Sequence, residues 1–529
     1  VASGSGNITL EGNGPVTGVR IGGSGGASTL SSATGNVSLR STSDIELLPG
    51  SQIVSATGFV EIDAAYLAEG NGGSIVMDAT SLIDAGTGNV NFYASTSANI
   101  GQINTDGDVF AEADSISLLG AIDSGSGQIR IFADSLDVAN TVQGTGSLSI
   151  STRTEFLTIG LGNGATGTLN LTSAEIAQFQ NGFNSIRIGG EVAGDIEVQA
   201  VTFLDPITIE GDTIAVQGQI TGADNASITL REFYEEFGQG GVIGGGIGGG
   251  GPLTSTTTLN APIVTSGNSV TLDDSVKVGS NASIDTTNGG MFAEGADVTF
   301  IFPVDSIEST ANNLAINAGT EGIVTFLGLV GDLAPLQNLT ISAQIVDFIS
   351  DVTLSGDLTA TLDTLSLSRS VTAGGNVDLQ VNDGVQIFSN TALMTSGAGL
   401  ITINTDANAD GDGTLTVFEA GTIASGPGGS ISITAAEVDF RRGEGQADIN
   451  AGTGTVTLQP STPGRTIDLG GSGGTGEFVA TDTELDLITA GSIRVGSASA
   501  GNVVFTAAVN LANSNTLEIV TSGSVNDTG

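Results

Sequence analysis

The loop of residues 406–413 has the residue types and spacing that a hard metal ion requires. Oxygen-bearing side chains occupy every second position in it: Asp406, Asn408, Asp410 and Asp412. Ca²⁺ prefers carboxylate and amide oxygens, and Gly411 permits the sharp bend that such a loop needs. Calcium is therefore the one cofactor that the sequence predicts. The twelfth position of the loop is Val417, where an EF-hand loop has a bidentate glutamate, so solvated acids on a turn are the alternative.

Acidic residues close to basic ones are the other candidates for chemistry, because polysaccharide-cleaving enzymes combine clustered acids with Arg, Lys or His. The one lysine of the chain, Lys277, follows Asp273 and Asp274 closely. A second group contains Glu437, Asp439, Arg441, Arg442 and Glu444. The chain has no histidine. We interpret both groups as charges on outward turns, and we expect no catalytic residues and no enzymatic activity.

An aromatic cluster in residues 231–252 is a candidate for binding a partner. Phe233, Tyr234 and Phe237 lie among three acidic residues, and an almost continuous glycine run follows from 238 to 251. Aromatic residues make up only 4% of the chain, so this cluster is an outlier. It predicts an aromatic knob on a flexible glycine-rich arm, and a surface insertion without a function is the alternative.

Strands must position these candidates, because the sequence nearly repeats itself every 19 to 21 residues between 88 and 171. Each copy opens with a glycine and then alternates apolar and polar residues, which is typical of a strand with one buried face. A unit this small buries its apolar face only by stacking on the next copy. We therefore predict an all-β fold, a parallel β-solenoid with about twenty residues per coil. The side chains expected to stack inside are Val90, Val109, Ile129, Leu148 and Leu169.

The same pattern continues in a looser form over most of the 529 residues. Ordinary chain-length arithmetic would give several domains, but the continuity of the pattern predicts a single elongated body. We divide it into an N-terminal β-solenoid part at 1–230, the glycine-rich insertion at 231–252 and a C-terminal β-solenoid part at 253–529.

A longer repeat indicates that part of the chain arose by duplication. Residues 158–196 recur as residues 466–503, and each copy contains a Thr-x-x-Glu segment. Residues 463–471 and 483–496 are similar to the repeats of large filamentous-haemagglutinin-like bacterial exoproteins, and residues 322–331 with 335–341 resemble another repeat of the same family. The resemblance implies a right-handed parallel β-helix, secretion across the outer membrane and a cell-surface role in adhesion or matrix building.

Charge and composition exclude several classes of partner. With 57 acidic and 12 basic residues, the formal net charge is −45, so nucleic acid and anionic membranes are not expected to bind. The apolar runs, such as residues 322–331, are too short to cross a bilayer, so no membrane insertion is expected. The absence of cysteine predicts a fold without disulfides.

These observations together predict a secreted structural or adhesive protein at the cell surface. Both ends of the chain keep the strand pattern without a capping segment, so we expect copies to stack end to end into extracellular filaments or fibres. The chain begins at Val1 within the pattern, which predicts a mature product or a segment of something longer. A module that binds surface glycans is the first alternative, and a β-helix polysaccharide lyase or hydrolase is the second.

Overall fold

The computed structural model describes residues 1–14, 16–23, 26–66, 72–232, 256–308, 310–443, 445–471 and 477–529. They form two compact units, Val1–Asn268 and Ser269–Gly529. Almost every regular element is a short β-strand, and the described residues include two one-turn helices. The all-β class that the sequence predicts is confirmed.

The elements of the first unit are, in chain order, β1 (Ala2–Ser3), β2 (Ile8–Gly12), β3 (Thr17–Ile21), β4 (Thr29–Ser32), β5 (Val37–Ser41), β6 (Asp44–Leu47), β7 (Gln52–Ser55), β8 (Val60–Asp63), β9 (Ile75–Met77), β10 (Leu82–Gly86), β11 (Val90–Tyr93), β12 (Ser97–Ile100), β13 (Gln102–Thr105), β14 (Val109–Leu118), β15 (Ile122–Asp123), β16 (Ile129–Val138), β17 (Val142–Gln143), β18 (Ser147–Ser151), β19 (Leu157–Leu161), β20 (Leu169–Leu171), α1 (Ser173–Ile176), β21 (Ser185–Gly189), β22 (Ala193–Val198), β23 (Val201–Phe203), β24 (Ile207–Gly211), β25 (Ile214–Val216), β26 (Ile220–Gly222), β27 (Ile228–Glu232), β28 (Thr257–Leu259) and β29 (Ile263–Thr265).

Those of the second unit are β30 (Val270–Asp273), β31 (Val276–Val278), β32 (Ala282–Asp285), β33 (Val298–Phe300), β34 (Val304–Ser306), β35 (Leu314–Asn317), β36 (Ile323–Phe326), β37 (Leu339–Ser342), β38 (Ile345–Phe348), β39 (Val352–Leu354), β40 (Leu358–Leu362), β41 (Leu365–Leu367), β42 (Val371–Ala373), β43 (Val377–Val381), β44 (Val385–Ile387), β45 (Ala392–Thr395), β46 (Leu400–Asn404), β47 (Thr414–Val417), β48 (Thr422–Ala424), β49 (Ser430–Ala435), β50 (Glu437–Phe440), β51 (Asp448–Asn450), β52 (Thr455–Pro460), β53 (Ile467–Gly470), β54 (Phe478–Thr481), α2 (Asp482–Leu485), β55 (Ile488–Thr489), β56 (Ser492–Gly496), β57 (Val503–Phe505), β58 (Leu517–Val520) and β59 (Val525–Asp527).

Most strands pair in parallel with strands two or three elements away, so each long ladder collects one strand from each successive pass of the chain. In the first unit, the longest ladder runs β2-β5-β8-β11-β14-β16-β18-β21-β24-β27. In the second unit, the longest runs β32-β35-β37-β40-β43-β46-β49-β52-β56-β58. Stacked parallel sheets of this kind are consistent with a parallel β-helix.

The core of the first unit is made of apolar columns that run across its longest ladder. Val90, Val109, Ile129 and Leu148 are in-register neighbours and all are buried, as predicted. The prediction is wrong for Leu169, because the next member of this column is Ile186. Leu169 is also buried, but it pairs with Ile159 in a different sheet.

Each pass of the chain adds one layer to the stacked sheets. The glycine that opens each repeat is required by close contact between successive layers. A Cβ atom on Gly127 would lie 2.0 Å from the carbonyl oxygen of Gly107, and one on Gly88 would lie 2.1 Å from that of Gly58. Non-bonded atoms do not approach this closely, so a side chain would push the layers apart. In the second unit, a Cβ on Gly399 would meet the Gly375 carbonyl oxygen at 2.0 Å.

The two copies of the long repeat fold alike. In each, a strand pairs in parallel with the next strand along the chain, β19 with β20 and β53 with β54, and a one-turn helix follows. The predicted Thr-x-x-Glu segments are capping boxes, Thr172 with Glu175 and Thr481 with Glu484. Each glutamate also accepts a hydrogen bond from a strand backbone, Glu484 from the amide of Phe440 at 3.3 Å. Burial raises the pKa of Glu484 above its ordinary value.

Candidate functional site

The outward side of the longest ladder in the first unit carries an unusual set of side chains. Because side chains alternate across a strand, the residues between the core columns point away from the core. Most outward positions of this ladder are small or polar, but three consecutive strands, β11, β14 and β16, carry aromatic residues. We use the name aromatic face for these three residues with their charged neighbours: Tyr93, Phe110, Phe132, Glu61, Asp63, Glu112 and Arg130.

The three rings form a continuous row across the layers. The centroids of Tyr93 and Phe110 are 5.3 Å apart, and those of Phe110 and Phe132 are 5.8 Å apart. Interplanar angles of 38° and 41° show that the rings are tilted toward each other rather than stacked flat. All three are half-buried, so each presents part of its surface to solvent. The Arg130 guanidinium carbon lies 6.0 Å from the Phe110 centroid, within reach of a cation–π contact.

Ion pairs hold the polar margins of the aromatic face in place. On one margin, Arg40 donates to Glu61 at 2.9 Å and lies 5.0 Å from the ring centroid of Tyr66. On the other, Arg153 donates to Glu112 at 3.2 Å. The same guanidinium bonds Asp114 at 2.6 Å and the Ser95 carbonyl oxygen at 3.1 Å. A side chain with this many partners spans several layers, so it fixes the position of the acids.

The electrostatic environment keeps the Tyr93 hydroxyl protonated. Burial, followed by the nearby charges of Glu61, Glu112 and Asp63, raises the pKa of Tyr93 above its ordinary value. Burial is also the main cause that raises the pKa of Asp63, and the charge of Glu61 adds to it. At neutral pH the face therefore offers a neutral hydroxyl donor beside carboxylate acceptors. Half-exposed rings with donors and acceptors around them suit a ligand that has both apolar C–H surface and hydroxyl groups.

The aromatic face was not among the sites predicted from the sequence. A usable signal was present, since alternation assigns Tyr93, Phe110 and Phe132 to outward positions of successive repeats, and aromatic residues are scarce in this chain. What the sequence lacked was the pairing register that brings the three rings together. The predicted aromatic residues Phe233, Tyr234 and Phe237 lie outside the described residues.

The predicted calcium loop forms a bend in which one acid organises the backbone. Asp406 is buried, and its carboxylate accepts from the backbone amides of Asp410 at 3.0 Å and Gly411 at 3.1 Å, and from the Ser461 hydroxyl. Asn408, Asp410 and Asp412 are exposed. Among the described residues, no three His, Cys, Asp or Glu side chains are grouped closely enough to hold a metal ion. Calcium binding at this loop stays a prediction.

The two groups considered for catalysis take up different environments. Lys277 lies within β31, so its interpretation as a turn charge is wrong, and its ammonium group donates to Asp305 at 2.8 Å. In the second group, Glu437 and Asp439 lie within β50, so the turn interpretation is wrong for them as well. Arg441 follows that strand, pairs with Asp439 at 2.9 Å and lies 4.4 Å from the ring centroid of Phe418. Arg442 points elsewhere, toward Asp486, at 3.3 Å. Glu444 lies outside the described residues.

Comparison with protein-family models, with curated proteins and with solved structures finds no match to this chain. Its similarity to filamentous-haemagglutinin-like exoproteins therefore stays a prediction from the sequence. None of the helices in the described residues is long and apolar enough to span a membrane.

Proposed function

We propose that this chain is an extracellular structural protein of the adhesive type, built as a right-handed parallel β-solenoid, and that its aromatic face binds glycans. The observation that carries the proposal is the row of Tyr93, Phe110 and Phe132 on consecutive in-register strands. Partner offsets of 19 or 20 residues in this region, such as Val90 with Val109 and Val109 with Ile129, support a coil of about twenty residues. Larger offsets elsewhere reflect longer connections, such as the one between Leu148 and Ile186, which contains β19, β20 and α1.

Glycans fit the aromatic face better than other extracellular polymers do. The electron-rich face of an aromatic ring attracts the partially positive C–H groups on one side of a sugar ring. The carboxylates of Glu61 and Glu112 and the hydroxyl of Tyr93 can exchange hydrogen bonds with sugar hydroxyls. A net charge of −45 repels uronate-rich or sulfated chains. We therefore assign a neutral polysaccharide as the ligand class, held along the row of rings, in which Phe110 is offset by two positions from Tyr93 and Phe132.

A polysaccharide binding panel with variants tests this proposal. We expect saturable binding of a soluble neutral β-glucan and weaker binding of a polyuronate. Phe110 lies in the middle of the row, so Phe110→Ala should weaken glucan binding about tenfold, which corresponds to about 1.4 kcal/mol. Phe388→Ala is the matched control, because Phe388 is also an outward-facing phenylalanine in contact with a second ring, that of Phe418, but belongs to the second unit.

The outcomes of this panel separate the three functions under consideration. Binding that is saturable, sensitive to Phe110→Ala and free of cleavage supports a glycan-binding adhesive protein. New reducing ends or unsaturated products would instead favour the lyase or hydrolase. If no polysaccharide binds, or if both variants lose binding equally, the aromatic face is not the binding site.

The proposal also includes assembly of copies through strand edges. In the described residues of the first unit, β1, β2 and β3 each have a strand partner on one side only, namely β4, β5 and β6. Unpaired backbone groups on an edge invite a further parallel strand, which another copy or a further segment of a longer polypeptide would supply. For the 529-residue chain, sedimentation velocity should show species that grow with protein concentration. A single monomeric boundary at all concentrations would contradict assembly between copies.

A further inference from the structure

Lys277 and Asp305 form a close, enclosed pair in the second unit. They are in-register neighbours on the parallel strands β31 and β34, and the lysine Nζ lies 2.8 Å from Oδ2 of the aspartate. The Asp305 side chain is 1% exposed and the Lys277 side chain is 24% exposed. Lys277 is also the only lysine among the 529 residues. In a surface ion pair, an arginine could replace the lysine, and solvent would reach both charged groups. Here the only primary amine of a side chain contacts a carboxyl group that is almost fully buried.

The second oxygen of Asp305 has partners of a different kind. Oδ1 accepts hydrogen bonds from the backbone amides of Leu333 at 3.1 Å and Ala334 at 3.2 Å. Two backbone N–H groups on one carbonyl-type oxygen are the arrangement that stabilises the negative charge of a tetrahedral intermediate in acyl transfer. The two oxygens are therefore already distinguished: amides hold Oδ1, and the amine contacts Oδ2.

We propose that Lys277 and Asp305 condense into an intramolecular isopeptide bond that links β31 to β34. A proton passes from the ammonium to Oδ2 along their hydrogen bond, which leaves a neutral amine beside a neutral carboxylic acid. The Nζ lone pair then attacks Cγ, and the C–N bond forms while the backbone amides of Leu333 and Ala334 stabilise the charge on Oδ1. The Cγ–Oδ2 bond breaks, and Oδ2 leaves as water with a second proton from Nζ. The product is a neutral amide, and no oxidant, reductant or co-reactant is consumed.

The enclosure of the pair favours this reaction. Paired strands already hold the amine and the carboxyl in contact, so the step is intramolecular. The entropy of bringing the two groups together is lost on folding and does not add to the reaction barrier. The near-complete burial of Asp305 limits the access of water that would reverse the condensation. The bond would join residues 28 positions apart on adjacent layers. It would prevent separation of these layers under tension, independently of whether the aromatic face binds a glycan.

Intact-mass measurement of the purified full chain tests the bond directly. We expect the wild-type protein to be lighter than its sequence mass by one water molecule. A proteolytic digest should contain a branched peptide that joins the Lys277 and Asp305 segments. Because Lys277 is the only lysine, an amine-reactive label applied to the denatured wild-type chain should modify the N-terminus alone.

Two variants provide the controls. Lys277→Arg keeps a cation opposite Asp305 but has no primary amine, so it should fold and show the full sequence mass. Asp305→Ala removes the acyl carbon, and in that variant Lys277 should accept the amine label after denaturation. A wild-type protein that has its full sequence mass and a labelled Lys277 would overturn the proposal and leave an ordinary ion pair.

Discussion

Replacing Ile131 with aspartate is expected to unfold the strands around it, whereas replacing its neighbour Arg130 with aspartate should leave them folded. Ile131 is buried in an inner column between Ala111 and Ile150, and Arg130 is exposed on the same strand. A carboxylate in the Ile131 position would have no partner among these apolar side chains. Burying an unpaired charge is among the costliest single changes, and we expect a loss of more than about 4 kcal/mol in local stability.

Hydrogen exchange on β14, β16 and β18 is the measurement of choice, because stacked repeats can open locally rather than as a whole. Ile131→Asp should abolish protection of these strands, and Arg130→Asp should retain it. The two variants add an acid to the same strand and differ mainly in which side of the sheet receives it. Equal loss of protection in both variants would show that the inside and outside of this ladder are wrongly assigned.

The sequence predicted the strand alternation and the inner columns because both depend on local chemistry. A two-residue period distinguishes buried side chains from outward ones. The repeated glycine marks a close contact between neighbouring layers, since a Cβ atom on Gly127 would lie 2.0 Å from the carbonyl oxygen of Gly107. The duplication could also be recognised from the sequence, and the two Thr-x-x-Glu segments that marked it form the same capping box.

Leu169 shows where this reasoning fails. Its segment has the same glycine and alternation as the preceding repeats, yet it joins a different sheet, next to Ile159. Alternation distinguishes inside from outside but does not say which neighbouring strand a segment joins. Here β20 follows β19 after a short connection, and helix α1, capped at Thr172, separates β20 from β21.

The functional surfaces depend on pairing register even more strongly. Tyr93, Phe110 and Phe132 are 17 and 22 residues apart in sequence, and only the register of their strands places the rings in one row. The partner of Lys277 was missed for the same reason, since Asp305 is 28 residues away and faces it across two paired strands. The predicted calcium loop lies within one short segment, so its candidate ligands could be named from the sequence, but calcium binding stays a prediction and the hydrogen bonds that the loop makes to Asp406 were not foreseen.

In-register parallel stacking is the claim on which the aromatic face depends, and paired cysteines test it most directly. Ser117 on β14 lies opposite Asp137 on β16, whereas Ser115 lies opposite Ser135. Neighbouring strands are about 4.8 Å apart, and a two-residue offset adds about 6.6 Å along the strand. A disulfide needs Cα atoms within about 7 Å of each other. Since the chain contains no cysteine, engineered pairs have no competing thiol.

The measurement is the extent of disulfide formation under mild oxidation in two double variants. Ser117→Cys with Asp137→Cys should cross-link almost completely, and Ser115→Cys with Asp137→Cys should remain reduced. Reduction of denatured protein and peptide mapping would identify the bond. Cross-linking of the offset pair in place of the in-register pair would contradict the register, and with it the row formed by Tyr93, Phe110 and Phe132.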